Sequence, residues 1–487
     1  MFQTMYGKMV VTHDVEVRNI QYDSRAVGPG DLFVAIKGGS VDGHAFIGNA
    51  VSAGAKVVVL ENDAALPDAF FMHAGVIKVV VGDTRKSLAL IAGNYYEHPS
   101  RKLRLVGVTG TNGKTSTVYL IRSILEANGE KSGLIGTIEY RIGDEVIPAT
   151  HTTPESPDLN RLLATMVQKG CTAAVMEVSS HALALHRVFG LTFTAAAFTN
   201  LTQDHLDFHQ TIDAYFNAKK ILFDELHNNA TAITNADTGE GLNIVADTKA
   251  RTLRYGIHAN ADVIATHVSL NLTGTSFSAN YQGSAYKVES TLIGNFNVQN
   301  ILAAYATGIA LSVDHDVVRK GIANLKAVPG RFQQFASPDG WIAIVDYAHT
   351  PDALENCLKT IREIGSSQSG KVITVFGCGG NRDRSKRPQM GRIATELSDI
   401  TVITSDNPRR ENPDDIIAEI KAGCVAEKQI HIERDRRKAI VFALEMAGKG
   451  DIVLIAGKGH EDYQIVGDTK SHFDDREEVQ SFMREKT

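Results

Sequence analysis

The strongest constraint on this chain comes from residues 106–116, which read VGVTGTNGKTS. A β-branched run enters a glycine-rich turn there, and a helical pattern over 114–127 follows at once. Glycines at such a turn let backbone N–H groups approach an anion at the helix N-terminus, while a lysine and a hydroxyl serve outer phosphates and Mg²⁺. Val108 stands where the strict G-x-x-x-x-G-K-[ST] pattern has glycine, so a surface lysine beside an ordinary turn is the alternative. We predict a phosphate-binding loop made of Gly110, Thr111, Asn112, Gly113, Lys114, Thr115 and Ser116.

Length and hydrophobic patterning together indicate an α/β protein of three blocks. The chain has 487 residues, which at about 150 residues per domain predicts roughly three domains. Short β-branched runs alternate with amphipathic stretches, as in layered folds with mainly parallel sheets. The blocks are expected at 1–102, 103–328 and 329–487. The supporting strands are predicted at 31–36, 56–60, 77–81, 103–108, 173–178, 195–199, 342–345, 372–376, 400–404 and 452–455, with a second helix at 212–225.

Charge and cysteine usage exclude several classes of protein. The 50 Lys and Arg residues stand against 56 Asp and Glu, a formal net charge of -6, so no general attraction for nucleic acid or anionic lipid is expected. The four cysteines form no C-x-x-C pair, which argues against a disulfide framework or a thiolate metal site. No apolar run approaches the ~18 residues of a membrane span, and the first residues lack a signal sequence. A soluble, cytoplasmic protein without a membrane or nucleic-acid partner is expected.

Two residues downstream of the glycine-rich loop suggest a metal site. Glu177 and His205 each follow a β-rich run, so both could lie at the same sheet edge as the loop. A carboxylate, an imidazole and the Thr115 hydroxyl would suit Mg²⁺ bound to phosphate oxygens. A histidine held only by hydrogen bonds is the alternative for His205.

Four loops in the last block each follow a predicted strand: 346–351, 377–387, 405–410 and 457–461. Ligands of open α/β sheets bind at the carboxyl ends of the strands, so these loops predict a site. The basic loop 377–387 favours a carboxylate or phosphate ligand. The alternatives are a solvated face for this loop and turn formation for residues 406–409.

Taken together, these segments resemble the Mur ligase family, the ATP-dependent amide-forming enzymes of bacterial peptidoglycan precursor synthesis. The resemblance implies a small N-terminal α/β domain for a uridine nucleotide, a central P-loop ATPase-like α/β domain, and a C-terminal Rossmann-like α/β domain for an amino acid. The matching segments are 23–25 (DSR), 30–34 (GDLFV), 109–115 (TGTNGKT), 152–154 (TTP), 177–181 (EVSSH), 204–207 (DHLD), 294–300 (GNFNVQN), 330–332 (GRF), 346–349 (DYAH) and 457–461 (GKGHE).

The resemblance also implies roles for individual residues. Catalytic roles fall on Lys114, Glu177, His205 and Lys219, and Mg²⁺ would be held by Thr115, Glu177, His205 and a carbamate on Lys219. Besides the glycine-rich loop, ATP would be bound by Asn297, Arg331 and Asp346. The uridine-linked substrate would be bound by Ser24, Thr152, Thr153, Ser179 and Arg187. The amino acid would be bound by Arg382, Asp406, Asn407, Pro408, Arg409, Gly457 and Glu461. Without the resemblance, Lys219 would be read as part of an exposed helix edge.

Within this family, Asp406-Asn-Pro-Arg409 resembles the signature of members that add meso-diaminopimelate to UDP-N-acetylmuramoyl-L-alanyl-D-glutamate. The implied enzyme is a bacterial, cytoplasmic, monomeric ligase that uses ATP and Mg²⁺. An L-lysine-adding member of the family is an alternative. Folylpolyglutamate synthetase is another, although it would not need the N-terminal domain containing Ser24. A P-loop switch that hydrolyses ATP without ligation is a third, and the predicted amino-acid loops argue against it.

Overall fold

The computed structural model describes residues 9–10, 15–39, 41–365 and 370–485. Within these residues the chain divides into two compact units. The first unit is drawn from 1–107, 130–194 and 225–230, and the second from 108–129, 195–224 and 231–487.

The strands, numbered in chain order, have the following bounds: β1 (Met9–Val10), β2 (Ile20–Gln21), β3 (Leu32–Val34), β4 (Val57–Leu60), β5 (Ile77–Val80), β6 (Arg104–Thr109), β7 (Ser132–Ile135), β8 (Glu139–Ile142), β9 (Glu145–Pro148), β10 (Ala173–Glu177), β11 (Ala195–Phe198), β12 (Thr231–Asn235), β13 (Arg251–Gly256), β14 (Val263–Asn271), β15 (Gly274–Tyr281), β16 (Ser284–Ser290), β17 (Gln333–Ala336), β18 (Ile342–Asp346), β19 (Val372–Phe376), β20 (Ile400–Ile403), β21 (Gln429–Ile432), β22 (Ile452–Ala456), β23 (Tyr463–Val466) and β24 (Thr469–His472).

The α-helices have these bounds: α1 (Ile47–Ser52), α2 (Asp68–Ala74), α3 (Thr84–Tyr95), α4 (Lys114–Ala127), α5 (Ser156–Gln168), α6 (Ser180–Ala184), α7 (Leu206–His209), α8 (Ile212–Asp224), α9 (Gly239–Asn243), α10 (Asn295–Ala310), α11 (His315–Asn324), α12 (Pro351–Gly365), α13 (Lys386–Leu397), α14 (Pro413–Lys421), α15 (Arg436–Met446) and α16 (Asp475–Glu485).

The first unit begins with a sheet in which β2, β3, β4 and β5 run parallel and β1 joins β5 antiparallel. Both faces of this sheet are buried, which explains the continuous apolar run of β4. Val57 and Val59 pack with Leu88 of α3 on one face. Val58 packs with Phe71 of α2 on the other.

A second group of strands in the first unit places Glu177. Strand β10 pairs in parallel with β7, and β7, β8 and β9 form an antiparallel meander. All five residues of β10 are buried, and Glu177 is its last residue. The carboxylate therefore lies at the carboxyl end of a parallel strand, where ligand sites of α/β sheets occur.

The second unit contains a mixed sheet followed by a mostly parallel one. Strands β11 to β14 are parallel neighbours, and β14, β15 and β16 continue as antiparallel hairpins. In the later sheet, β18, β22, β19, β20 and β21 are parallel in that order, with β17 antiparallel at the edge. Helices α12 to α14 cover one face of this later sheet, and α15 and α16 cover the other. The carboxyl ends of β18, β22, β19 and β20 therefore share one edge.

The predicted elements are present with bounds close to those expected, and the α/β prediction is confirmed. The helix predicted over 114–127 is α4, and the strand predicted over 31–36 is the shorter β3. The antiparallel strands β14 to β16 were not predicted, because their alternating polar residues, such as Ser276 and Ser278 in β15, dilute the apolar signal. None of the described helices has the length and apolar character needed to cross a membrane.

Candidate active site

The glycine-rich loop of the second unit is held in shape by the segment that follows β11. The backbone N–H of Thr111 donates to the Asn200 carbonyl at 2.9 Å, and that of Asn112 donates to Asn200 Oδ1 at 2.9 Å. The Thr199 hydroxyl donates to the Asn112 carbonyl at 2.6 Å. Because side chains fix the loop backbone from outside, the anion-binding arrangement does not depend on a ligand to form.

Lys114 is the first residue of α4 and turns back over this loop. Its Nζ donates to the carbonyls of Gly110 at 2.9 Å and Thr111 at 2.7 Å. The ammonium therefore lies at the positive end of a helix, beside the backbone groups that would receive phosphate oxygens.

Lys219 lies under the same loop and is only 1% exposed. Its Nζ donates to the Gly110 carbonyl at 2.7 Å and lies 4.3 Å from the centroid of the Tyr215 ring. Burial, followed by the nearby Lys114 charge, lowers the pKa of Lys219 well below its usual value. The exposed-edge interpretation is therefore wrong for Lys219, whereas Lys220 pairs with Asp224 on the same helix.

His205 is less deeply placed. Its side chain is 43% exposed, and its Nε2 lies 3.5 Å from Asp204 Oδ2. Burial disfavours the charge on Asp204, but the neighbouring His205, His349 and Lys114 together lower the pKa of its carboxyl. An ionised carboxylate next to the loop is thus a feature that the sequence analysis did not assign to the site.

Arg331 brings the last block of the chain to the glycine-rich loop within the second unit. Its Nη2 donates to the Thr115 hydroxyl at 3.1 Å, and its guanidinium lies 4.5 Å from the centroid of the Tyr347 ring. Arg331 and Asn297 both line a cavity of about 190 Å³ that also contains Ile293 and Phe332. A cavity with apolar and polar walls beside a phosphate loop suits a heterocyclic base.

Asp346 ends β18 and is held by the backbone around it. Its two carboxylate oxygens accept from the N–H groups of Phe332 at 2.6 Å and Ala348 at 2.7 Å. Burial raises the pKa of this carboxyl, and the Arg331 charge opposes that shift. Asp346 therefore fixes the turn that carries Arg331, in addition to any contact with a nucleotide.

A second group of polar side chains in the second unit lies where the loops after β19, β20 and β22 meet; it is called the amino-acid pocket below. Asn407 is 2% exposed, and its Nδ2 donates to Glu461 Oε2 at 2.8 Å. Arg409 has a left-handed backbone (φ 52°), and its Nη1 donates to the Gly380 carbonyl at 2.9 Å. Gly457 lies against this group, since a Cβ there would come within 2.9 Å of Asp406 Oδ2. Two carboxylates and a guanidinium suit a ligand that carries both ammonium and carboxylate groups.

Most of the basic loop 377–387 serves the fold. The Arg387 side chain is 0% exposed and pairs with Glu411 at 3.0 Å and Glu419 at 2.7 Å. Arg384 also pairs with Glu419. Arg382, in contrast, is exposed to solvent.

The predicted residues of the first unit form a separate polar cluster around β10. The two Glu177 carboxylate oxygens accept from Thr137, one from its N–H at 2.9 Å and one from its hydroxyl at 3.0 Å. The Thr137 and Thr152 hydroxyls are 3.1 Å apart. Thr153 donates to the Glu177 carbonyl at 2.9 Å and accepts from the Ser179 N–H at 3.1 Å.

Arg187 joins this cluster from the segment after α6. Its Nη1 donates to the Thr153 carbonyl at 3.0 Å, and its Nε lies 3.2 Å from Glu155 Oε2. Ser24 begins a short 3₁₀ turn of the same unit, two residues after Tyr22, whose hydroxyl donates to Asp158 at 2.8 Å.

The described residues contain no ready-made group of three or more His, Cys, Asp or Glu side chains arranged to hold a metal ion. The buried Lys219 would add to the possible ligands only after a change of charge. As an ammonium it would repel a cation, whereas as a carbamate it would add two oxygen ligands of the kind Mg²⁺ prefers. Thr115, His205 and Lys219 belong to the second unit and Glu177 to the first.

Several residues of these clusters were missed by the sequence analysis. Asp204, His349 and Lys458, whose Nζ lies 3.1 Å from Glu461 Oε2, stand inside recognised segments, but no spacing rule singles them out. Thr137 had no sequence signal, because its role depends on the hairpin that brings it to Glu177.

Comparison with known proteins now adds to this geometry. The chain matches the Mur ligase family, catalytic domain, over 16–96, the Mur ligase middle domain over 108–308, and the Mur ligase, glutamate ligase domain over 330–459. The chain belongs to the Mur ligase family. The family prediction and the predicted three-domain α/β class are confirmed, while the boundaries 1–102, 103–328 and 329–487 stay a prediction.

Similar proteins cover nearly the whole chain. A Clostridium tetani protein named UDP-N-acetylmuramoyl-L-alanyl-D-glutamate–2,6-diaminopimelate ligase is 44% identical and covers 97% of this chain and 96% of its own length. A Cytophaga hutchinsonii protein of the same name is 45% identical, covering 95% and 94%. A solved structure of a ligase of that name has 32% identity and a TM-score of 0.70, covering 98% and 97%.

The folylpolyglutamate synthetase alternative finds support only at the level of fold. The folylpolyglutamate synthase of Mycobacterium tuberculosis has a TM-score of 0.64 but 16% identity, and it covers 77% of this chain.

Proposed function

We propose that this chain is an ATP-dependent ligase that joins meso-2,6-diaminopimelate to the D-glutamyl carboxylate of UDP-N-acetylmuramoyl-L-alanyl-D-glutamate. The observation that carries the proposal is that the second unit combines a glycine-rich loop held in shape by its surroundings with a group of two carboxylates and a guanidinium. Relatives named for this reaction, at 44% and 45% identity, support the same substrates. The proposed partners are therefore the UDP-linked dipeptide and the amino acid, bound by a monomer in the bacterial cytoplasm.

The chemistry explains why one chain needs both features. A carboxylate does not react with an amine directly, because oxide is too poor a leaving group. The glutamyl carboxylate instead attacks the γ-phosphorus of ATP, and ADP leaves. The amine of diaminopimelate then attacks the acyl phosphate carbon, loses a proton, and displaces inorganic phosphate to leave the amide.

The glycine-rich loop is positioned to stabilise the first of these steps. The backbone N–H groups at the start of α4 and the Lys114 ammonium would hold the phosphates in line with the attacking carboxylate. Arg331, which already contacts Thr115 at 3.1 Å, would add a second cation next to the transferred phosphoryl group. The cavity beside Asn297 and Arg331 is the proposed adenine site.

The residues present fit Mg²⁺ once Lys219 is carbamylated. A neutral Lys219 amine attacks CO₂, a C–N bond forms, and one proton leaves, so an ammonium is replaced by a carbamate anion. Thr115, His205 and this carbamate, all in the second unit, would hold the metal. When bound, Mg²⁺ would offset charge repulsion between the phosphate oxygens and the attacking carboxylate.

The amino-acid pocket supports the choice of amino acid. Asp406 and Glu461 would bind ammonium groups, with Asn407 orienting Glu461 and Pro408 fixing the turn before Arg409. Arg409 would bind carboxylate together with the exposed Arg382, since both side chains lie near Gly379. Lysine lacks the second carboxylate of diaminopimelate, so this pocket favours the latter.

The polar cluster of the first unit is the proposed site of the UDP-linked substrate. Thr152, Thr153 and Ser179 supply hydroxyls, and Arg187 supplies a cation. Ser24 would contribute from the N-terminal domain.

Phosphate release tests the proposal. The full mixture contains the protein, ATP, Mg²⁺, the UDP-linked dipeptide and meso-diaminopimelate, and each component is omitted in turn. Release should require all of them. Release that continues without the dipeptide and the amino acid would identify an ATPase switch and contradict the ligase assignment.

A further inference from the structure

Lys458 carries a charge that the fold buries completely. The residue follows β22, between Gly457 and Gly459, and its side chain is 0% exposed. An ammonium removed from water is strongly unfavourable unless oxygen atoms surround it. The partners of Lys458 therefore indicate what the charge does.

Those partners belong to the amino-acid pocket. Lys458 Nζ lies 3.1 Å from Glu461 Oε2 and 3.3 Å from Asn407 Oδ1. Asn407 Oδ1 also accepts from the Ile465 N–H at 2.9 Å, which turns Asn407 Nδ2 toward Glu461 Oε2. Both of these contacts to Glu461 use Oε2, so Oε1 takes part in neither of them.

The charge of Lys458 also balances the acids of the pocket. Burial raises the pKa of Glu461, the Asp406 carboxylate adds to that shift, and Lys458 opposes it. The groups facing Glu461 from the surrounding elements are Tyr347 after β18, Asp406 after β20, Arg436 on α15, Lys458 after β22 and Tyr463 on β23.

We propose that Lys458 is a positioning residue for the incoming amino acid, holding Glu461 and Asn407 so that Glu461 Oε1 faces the substrate ammonium. Lys458 itself touches no reacting atom, and its effect passes through Glu461. The role rests on the proposed ligase function and extends it to a residue that makes no substrate contact.

The test replaces Lys458 by methionine, which has similar length and no charge. Initial rates are measured with the amino acid varied at saturating ATP and UDP-linked dipeptide. KM for meso-diaminopimelate should rise about tenfold or more, because a misoriented Glu461 binds ammonium poorly, while KM for ATP stays unchanged. In a plot of kcat/KM for the amino acid against pH, the acid limb should move to higher pH. The reason is that Glu461 takes up a proton more readily when Lys458 is absent.

Lys78→Met is the matched control. Lys78 is also buried, at 1% exposed, and pairs with Asp63 and Asp68, but it belongs to the N-terminal sheet. This variant should lose stability without changing KM for the amino acid. A KM within about twofold of wild type in Lys458→Met, or an equal rise in Lys78→Met, would overturn the positioning role.

Lys458→Arg covers the case in which the methionine variant does not fold. Arginine keeps the charge but changes its geometry, so KM should rise while the acid limb stays in place. An unchanged KM would again overturn the role.

The comparison uses whichever of meso-diaminopimelate, L-lysine and L-ornithine the wild type ligates best. A wild type that prefers another amino acid therefore counts against the proposed function, and an unchanged variant counts against Lys458 alone.

Discussion

Lys219 is the residue at which burial most clearly prepares a chemical change. The amine is 1% exposed and close to Lys114, and its burial and that charge lower its pKa, which favours the neutral form. Only the neutral amine reacts with CO₂. The carbamate, and with it activity, should therefore be lost as pH falls through the lowered pKa.

The prediction for Lys219 is that ligation depends on CO₂. Activity should fall in CO₂-depleted buffer and return with bicarbonate, and ¹³C-bicarbonate should produce a carbamate carbonyl resonance that Lys219→Ala lacks. Lys220→Ala, which removes a lysine paired with Asp224, is the control and should keep the resonance. Full activity in CO₂-free buffer without a labelled carbamate would remove this part of the account.

Arg409 is the residue predicted to distinguish diaminopimelate from lysine. Its guanidinium contacts the Gly380 carbonyl at 2.9 Å and lies next to Asn407, in the same pocket as Glu461. Removing one member of a buried charge pair costs about 2–5 kcal/mol, or roughly tens- to thousands-fold. In Arg409→Ala, the ratio of kcat/KM for meso-diaminopimelate over L-lysine should fall by roughly tens- to thousands-fold.

Arg410→Ala provides the matched control for Arg409. Arg410 is exposed and pairs with Asp468 at 2.9 Å, so its loss should leave the ratio unchanged. If Arg409→Ala also leaves the ratio unchanged, residues 406–409 only form a turn.

Gly113, in the turn that leads into α4, allows a prediction at the level of a secondary-structure element. Gly113 has φ 85°, and a Cβ there would lie 2.1 Å from Asn300 Oδ1. Asn300 in turn donates to Asn297 at 3.0 Å, so it cannot move away without disturbing that contact. Gly113→Ala should therefore distort the phosphate loop and raise KM for ATP by about tenfold or more.

Gly129, just after the end of the same helix, separates the clash from simple backbone strain. It has a similar φ of 80°, but a Cβ there meets nothing within 4 Å. Gly129→Ala should cost about 1–2 kcal/mol of stability and leave KM for ATP unchanged. Thermal unfolding and ATP titration of both variants check this. Equal KM values for ATP would show that the Asn300 side chain moves aside without disturbing the loop.

At the level of elements, local patterns were sufficient for some features and insufficient for others. The helix 114–127 and the strand 372–376 follow directly from a glycine turn and a continuous apolar run. The structural use of Arg387 could not be predicted, because its partners Glu411 and Glu419 are brought near by the packing of α13 and α14. A basic run in sequence does not reveal which of its cations are already neutralised.

At the scale of the whole molecule, the residues of the candidate site could likewise be predicted only in part from local sequence patterns. Motifs singled out Lys114 and Glu461, which lie in segments that follow a strand, and Glu177, which ends one. Lys458 and Thr137 were missed, because their roles depend on which segments the fold brings together. Sequence therefore predicts the groups that carry chemistry better than the groups that orient them.

The central claim is that one chain joins this phosphate loop and this pocket to add diaminopimelate. The most direct measurement offers meso-diaminopimelate, L-lysine and L-ornithine together, at equal concentration, with ATP, Mg²⁺ and the UDP-linked dipeptide. Mass spectrometry then identifies the ligated product. The diaminopimelate adduct should be the dominant product, with one phosphate released per amide formed. A dominant lysine or ornithine adduct, or phosphate release without any adduct, would contradict it.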